Sequence, residues 1–210
     1  MTKRVLTKKE LEILLESLKG YRKPKITLEQ YPIPSSLAAE LLVFAYLNGD
    51  IEGKVVCDLG CGTGRLAIGA SLLGAKLVYG CDVDEEALKI AMENALVLGV
   101  KNVVWIKKDV KELTGIRVDT VVQNPPFGVR KKHADIVFLR KAIEIGKVVY
   151  TIHKSGRENR EFLKRVISEM GGKITHVIEK DFVIPHLYEF HRKFRHKFKV
   201  DLYRIVVGGG

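Results

Sequence analysis

Asp58-Leu59-Gly60-Cys61-Gly62-Thr63-Gly64 is the stretch of this 210-residue chain that decides the fold. Residues 54–59, which lead into it, form a short apolar run typical of a central strand in a parallel sheet buried on both faces. The three glycines let the backbone turn tightly and approach a ligand closely, and the next helix presents its N-terminal amides at the same place. The stretch therefore predicts a strand, a ligand-binding turn and a helix, in that order.

The end of this turn separates it from the dinucleotide-binding pattern. In G-x-G-x-x-G the third glycine would stand where this chain has Arg65. The turn therefore favours an adenosyl ligand with a sulfonium group and a carboxylate tail over a pyrophosphate. The alternative is a tight turn without a ligand, because glycine-rich loops also occur as plain turns.

Two later apolar runs end near further acidic residues. Residues 76–82 end in Asp82, roughly 20 residues after the turn, where such folds bind the ribose hydroxyls with a carboxylate. Asp84 stands ahead of a helix-forming segment and is predicted to be its N-cap. A third run, residues 102–106, leads to Asp109, which in one interpretation only caps the segment 110–113.

A second motif, Asn124-Pro125-Pro126-Phe127, follows a strand-like run at residues 118–123. It therefore falls beside the glycine turn, at the edge where open α/β sheets bind ligands. The Asn124 side-chain oxygen and the Pro125 carbonyl are suited to accept the two N–H bonds of a planar amine, while Phe127 stacks on its ring. Pro125 and Pro126 fix φ, so both acceptors are held in place before a substrate binds. A plain turn at the end of the strand is the alternative.

The two motifs, in kind and order, resemble those of class I S-adenosylmethionine-dependent amino-methyltransferases, whose fourth motif is Asp, Asn or Ser, then Pro-Pro, then an aromatic residue. Two further segments are similar to the archaeal and eukaryotic adenine-N6 methyltransferases of small-subunit ribosomal RNA: Leu28-Glu29-Gln30-Tyr31-Pro32 and Phe190-His191-Arg192-Lys193. The resemblance implies S-adenosylmethionine as the cofactor, with S-adenosylhomocysteine as its product. It also implies a small zinc-ribbon activator protein as a partner.

The resemblance further implies which residues form the site. Asp109 accepts from the adenine amine, and Val110 packs against the ring or donates its backbone amide. The predicted cofactor residues, with those of the turn, are Gln30, Ile33, Asp58, Gly60, Gly62, Thr63, Gly64, Arg65, Asp82, Asp109 and Val110. The predicted catalytic residues are Asn124, Pro125, Pro126 and Phe127. Ile33 and Thr63 replace a threonine and a cysteine of the eukaryotic members, and any side-chain hydrogen bond at Ile33 is thereby lost.

The charge distribution indicates an acidic polymer as a partner, since the chain carries a formal net charge of +11. Arg130, Lys131 and Lys132 follow the second motif directly, where a phosphate backbone must pass if a base enters the site. Residues 186–199 mix aromatic and cationic side chains, which suits unpaired RNA. The predicted RNA contacts there are His191, Arg192, Lys193, Arg195 and Lys197. A hairpin with its aromatics in the core and its cations in water is the alternative, and no metal site is predicted.

The order of the apolar runs predicts an α/β fold: a doubly wound, Rossmann-like, seven-stranded mixed sheet of the class I methyltransferase type, with a final antiparallel pair. Residues 1–50 are predicted to be an N-terminal helical extension that covers the cofactor, and residues 51–210 the methyltransferase domain. Within the extension, Ser35 or Ser36 is predicted to cap a helix that ends near Asn48. Without a signal peptide or a membrane-spanning apolar run, the chain is predicted to be cytoplasmic, and its three cysteines to be buried and reduced.

These features predict an S-adenosylmethionine-dependent RNA methyltransferase that modifies the N6 amine of an adenosine in ribosomal RNA. One alternative keeps the chemistry and changes the acceptor to a ribosomal guanine N2 or a protein glutamine N5. Phe127 and the basic residues 130–132 count against glutamine, because enzymes of that kind mostly have tyrosine at this position and need no basic flank. The other alternative is a non-catalytic RNA-binding assembly protein, which would be expected to have lost parts of the site that this chain retains.

Overall fold

A seven-stranded sheet in the order β3-β2-β1-β4-β5-β7-β6 forms the centre of the protein. The structure, a computed structural model, describes residues 6–128, 133–185 and 195–208. The helices are α1 (Lys8–Glu16), α2 (Ser35–Leu47), α3 (Arg65–Leu72), α4 (Glu85–Val97), α5 (Ala134–Ile145) and α6 (Arg157–Glu169). The strands are β1 (Val55–Leu59), β2 (Leu77–Asp82), β3 (Val103–Lys107), β4 (Val118–Gln123), β5 (Gly146–Lys154), β6 (Gly172–Pro185) and β7 (Arg195–Val207). The predicted fold class is confirmed.

The direction of the strands explains why the two motifs meet. Strands β3, β2, β1, β4 and β5 run parallel, and β7 lies antiparallel between β5 and β6. The chain reaches one edge of the sheet at β3 and returns to the centre at β4, so the strand order reverses between β1 and β4. Leu59, the last residue of β1, pairs with Gln123, the last residue of β4. The glycine turn and the Asn124 motif therefore leave the sheet side by side, at the point where ligands bind in such folds.

Two hydrophobic clusters hold the helices against the sheet. The first joins α1, α2 and α3 to the strands, with Leu11, Leu15, Leu41 and Leu42 fully buried. The second contains side chains of α5 and α6, including Leu139 and Leu163. Because α1 and α2 share a cluster with the sheet, the boundary at residue 50 stays a prediction. None of the described helices has the length and apolar character needed to cross a bilayer.

The helix starts agree with the sequence at one position and disagree at another. Asp84 is the N-cap of α4, and its side chain accepts a hydrogen bond from the Glu86 amide, as predicted. The prediction that Ser35 or Ser36 caps α2 is wrong. Pro34 stands at the N-cap, and the Ser35 hydroxyl, already within the first turn, donates to the Glu16 carboxylate of α1. The Ser35 hydroxyl therefore bonds to a residue of another helix, whereas the local sequence pattern predicted a bond to the start of its own helix.

The β6–β7 hairpin extends past the sheet at the edge where the two motifs lie. The pairing of β5 with β7 ends at Lys154 and Val200, whereas β6 and β7 stay paired as far as Pro185 and Arg195. Arg195, a predicted RNA contact, is the first residue of β7. Lys197, another predicted RNA contact, is exposed and forms an ion pair with Asp181 at 2.9 Å. The other predicted RNA contacts lie outside the described residues: Arg130, Lys131, Lys132, His191, Arg192 and Lys193.

Candidate active site

The glycine turn is built from backbone hydrogen bonds to the end of β2. The amides of Gly60 and Cys61 donate to the Cys81 carbonyl at 2.8 and 3.0 Å, and the Gly62 amide donates to Asp82 Oδ2 at 2.8 Å. Gly60 and Gly62 have φ of +70° and +53°, in the left-handed region. A Cβ on Gly60 would also lie 2.8 Å from the Phe138 ring, and one on Gly62 would collide with the Tyr21 hydroxyl. Glycine is therefore needed at both positions, as the sequence predicted.

A cavity of about 260 Å³ opens on this turn. It is lined by nine of the predicted cofactor residues: Gln30, Ile33, Asp58, Gly60, Thr63, Arg65, Asp82, Asp109 and Val110. Asn124 and Pro126 of the second motif also reach its wall. Gly62 and Gly64 shape the turn without lining the cavity, and Pro125 and Phe127 do not line it either. We call this cavity the cofactor pocket.

Asp82 is oriented by two backbone amides. Its Oδ2 accepts from Gly62 and its Oδ1 accepts from Asp84, both at 2.8 Å. Burial raises the pKa of the Asp82 carboxyl despite these hydrogen bonds. Each oxygen keeps a second lone pair, so the carboxylate can still accept two hydroxyl groups.

The segment upstream of α2 is fastened over the pocket at two points. The Gln30 side chain accepts from the Lys25 amide at 2.7 Å and donates to Asp84 at 2.7 Å, and Lys25 Nζ lies 2.6 Å from the same carboxylate. Arg65 Nη1 donates to the Ile33 carbonyl at 2.5 Å. Gln30 therefore forms a wall of the pocket while its amide bonds within the protein, and Ile33 contributes its backbone and a buried side chain.

Three buried polar atoms on the pocket wall have no hydrogen-bond partner among the described residues: Asp58 Oδ1, Arg65 Nε and Asn124 Oδ1. The other oxygen of Asp58 accepts from the Ala67 amide of α3 at 2.9 Å. Burial raises the pKa of Asp58 to about 8. Orphaned buried polar atoms are rare because each is costly, and three around one cavity indicate a ligand that carries both donors and acceptors.

Asp109 combines the two interpretations left open by the sequence. Its side chain accepts from the Lys111 amide at 2.9 Å and so caps a short 3₁₀ helix, Val110–Glu112. It also lines the cofactor pocket. The capping bond orients the carboxylate without removing it from the cavity.

Phe127 faces a different space from the one that holds the predicted cofactor residues. Its ring packs edge-on against Phe182 and Phe198 of the hairpin, with centroids 5.3 and 5.4 Å away. Together with Asp135 and His153, it lines another cavity, of about 580 Å³. We call this cavity the second cleft. The Asn124–Phe127 motif thus lies between the two cavities, with Asn124 on one and Phe127 on the other.

Sequence reasoning missed two aromatic residues of the pocket. Tyr21, from the basic loop after α1, covers Gly62, and Phe138, from α5, packs on Gly60. Neither lies near a motif in the sequence, so no local signal identified them. The three cysteines, Cys57, Cys61 and Cys81, are buried and free, as predicted.

The sheet order, the glycine turn and the pocket at the reversal of strand order define a class I methyltransferase. A family model described as ribosomal protein L11 methyltransferase matches residues 40–125, which contain the turn and most of the pocket. The rRNA N(6)-adenosine-methyltransferase Mettl5 of Drosophila melanogaster is 35% identical and covers 95% of this chain and 96% of its own length. The chain belongs to this family of rRNA N6-adenosine methyltransferases.

Two further comparisons agree with that assignment. The METTL5 protein of Danio rerio is 36% identical over 93% of this chain and 97% of its own. The solved structure of a candidate RNA methyltransferase from Pyrococcus horikoshii is 47% identical, covers 99% of each chain and superposes with a TM-score of 0.89. The likeness therefore includes the N-terminal helices and the C-terminal hairpin as well as the cofactor half.

Proposed function

We propose that this protein transfers the methyl group of S-adenosylmethionine to the N6 amine of an adenosine in small-subunit ribosomal RNA. The observation that carries the proposal is the Asn124 side-chain oxygen, which is buried on the wall of the cofactor pocket and has no partner among the described residues. An acceptor held in this way is suited to an amine that arrives with the substrate. The names of the full-length relatives support adenosine as the base.

The residues of the pocket fit S-adenosylmethionine. Asp82 would accept from the ribose hydroxyls, and Asp109 and Val110 would hold the adenine. Arg65, whose Nε is unpartnered, would bind the carboxylate of the amino-acid end, and Asp58 would face its positive charge. When bound, this cofactor supplies an electrophilic methyl group on a positively charged sulfur.

Asn124 and its neighbours would activate the acceptor by orientation. An adenine amine is a weak nucleophile because its lone pair is delocalised into the ring. If Asn124 Oδ1 and the Pro125 carbonyl each accept one N–H, the lone pair turns toward the methyl group, and the barrier falls through alignment. A strong base is unnecessary, since the attacking lone pair carries no proton: the nitrogen–methyl bond would form as the methyl–sulfur bond breaks, and the methylated amine would then lose one N–H proton to water. Phe127, in the second cleft, would stack on the base as it enters from the side opposite the cofactor.

The C-terminal hairpin supports an RNA acceptor. It extends past the sheet at the edge that carries the motif and bears exposed cations such as Lys197. We propose that this hairpin and the basic residues 130–132 contact the RNA backbone, that a small zinc-ribbon protein acts as an activator, and that the enzyme works in the cytoplasm. Co-purification of a zinc-binding protein with the tagged enzyme would test the second of these.

Asn124→Ala provides the test of the chemistry. Turnover on a ribosomal RNA fragment should fall by roughly 10²–10³, because a preorganised acceptor is lost, while calorimetry should give nearly unchanged S-adenosylmethionine affinity. Asn48→Ala, a change of the same kind on the exposed end of α2, is the matched control and should retain activity. Phe127→Ala should be damaging and Phe127→Tyr tolerated, since stacking contributes about 1–3 kcal/mol per base.

Nucleoside mass spectrometry of the fragment identifies the acceptor. A near wild-type rate for Asn124→Ala would contradict amine activation by this residue. Methylated guanosine with unmodified adenosine would leave the chemistry intact and change the base. Cofactor binding without methylation of RNA or protein would favour the non-catalytic assembly role.

A further inference from the structure

Three buried side chains and the partly exposed Asp135 form one hydrogen-bonded chain outside the cofactor pocket. Gln123 Nε2 donates to Thr151 Oγ1 at 3.0 Å, Thr151 Oγ1 lies 3.0 Å from His153 Nε2, and His153 Nδ1 lies 3.2 Å from Asp135 Oδ2. Gln123, Thr151 and His153 are 0–1% exposed, so water does not compete for these bonds. We call these four residues the Gln123–Asp135 chain.

The partners at the two ends fix the direction of two of these bonds. The Asp135 carboxylate accepts from His153 Nδ1, and Thr151 Oγ1 accepts from Gln123 Nε2. Hydrogen bonds linked in this way strengthen one another in a dry interior.

The Gln123–Asp135 chain ties together the two ends of the segment that carries the Asn-Pro-Pro-Phe motif. Gln123 is the last residue of β4 and is bonded covalently to Asn124, whereas Asp135 is the second residue of α5, after the segment. Thr151 and His153 lie two residues apart on β5, and they hold both ends against one strand. The His153 ring also makes a T-shaped contact with the Tyr203 ring, with centroids 5.8 Å apart.

We propose that Thr151 and His153 are positioning residues for methyl transfer: through Gln123 and Asp135 they hold Asn124 and Phe127 at the angle the acceptor amine requires. The inference rests on the proposed function. The Gln123–Asp135 chain borders the second cleft, because Asp135 and His153 line this cleft together with Phe127. Replacement of buried paired polar groups by apolar side chains of similar volume is often neutral for stability, so we explain the Gln123–Asp135 chain by the orientation it imposes.

Thr151→Val tests this inference with almost no change in volume. It removes the hydroxyl that joins Gln123 to His153, and Thr151→Ser restores it. Thr120→Val is the matched control: Thr120 is equally buried on β4, but its hydroxyl donates to the Asp50 carbonyl at the far end of the strand. All three variants are compared for cofactor affinity, for kcat on the RNA fragment, and for hydrogen–deuterium exchange of the peptide 121–128.

Thr151→Val should lower kcat by roughly ten- to a hundredfold, because small misplacements of a reacting group have effects of this size, and should leave S-adenosylmethionine affinity within about twofold. Exchange of the Asn124 and Phe127 amides should rise, and these are the two amides of residues 124–127 that can report, because proline has no backbone N–H. Thr151→Ser should recover most of both properties, and Thr120→Val should change neither, even if its melting temperature falls.

Two results would overturn the positioning role: a Thr151→Val enzyme with the kcat of Thr120→Val, or exchange at 124–127 equal in the two variants. If Thr151→Val does not fold, Asp135→Ala, at the partly exposed end of the Gln123–Asp135 chain, replaces it with the same expectations, because it removes the acceptor of His153 Nδ1. Exchange is measured without substrate, so it tests the positioning role even if the wild-type protein proves to methylate another acceptor.

Discussion

Asp58 gives the pH dependence of this protein an unusual sign. Burial raises the pKa of its carboxyl from an ordinary value of 3.8 to about 8, and the hydrogen bond from Ala67 offsets only part of that effect. A shift of about four units corresponds to a cost of order 5 kcal/mol for the ionised form in the folded state. We therefore expect Asp58 to be mostly protonated at pH 7 in the free protein.

The sign follows from linkage. Below pH 4 the group is protonated in both states and its contribution to stability is fully present. Between pH 4 and 8 the unfolded chain releases the proton and the folded chain keeps it, so the free energy of unfolding falls as pH rises. A positively charged ligand next to Asp58 favours the ionised form. S-adenosylmethionine affinity should consequently increase with pH up to about 8, by at most tenfold per unit, with release of close to one proton at pH 7.

Calorimetry in two buffers of different ionisation enthalpy measures that proton. Asp58→Asn mimics the protonated acid and retains an acceptor for Ala67, so its titration reports the protons contributed by Asp82 and by the amino group of the ligand. The difference between the two proteins is the contribution of Asp58. Equal proton release by wild type and Asp58→Asn at pH 7, with affinities that run parallel from pH 6 to 9, would refute the reasoning.

Other predictions concern the same pocket and the RNA surface. Asp82→Ala should weaken S-adenosylmethionine binding at least tenfold in calorimetry, because a doubly accepting carboxylate contributes on the order of 1.5–3 kcal/mol, and unchanged affinity would move the ribose site elsewhere. Gly62→Ala should lower both the melting temperature and cofactor affinity, whereas Gly99→Ala, with a similar positive φ but open space around it, should affect stability alone. Replacing the three basic residues that follow the motif, Arg130, Lys131 and Lys132, by alanine should weaken RNA binding and flatten its salt dependence without changing cofactor affinity. If the dependence of RNA affinity on salt concentration is unchanged, these residues belong to a solvated face.

The sequence by itself determined the order of the elements and, to within one residue, the boundaries of β1, β2, β3 and β4. Apolar runs and glycine turns are local signals, and each one reports the structure of its own few residues. Part of the cofactor pocket was predictable for a related reason. Asp58, Gly60 and Asp82 lie at or next to the ends of strands, and the ends of neighbouring parallel strands must lie at one edge of a sheet. Gln30, Ile33 and Val110 were implied only by the family resemblance.

The tertiary structure alone decided the interactions that join distant residues. Phe127 packs on the hairpin and faces the second cleft, and the Ser35 hydroxyl binds α1 in place of its own helix. The Gln123–Asp135 chain and the burial that raises the pKa of Asp58 likewise depend on elements far apart in the sequence. Such contacts arise from the packing of two surfaces, and the pattern along either segment contains no information about the other.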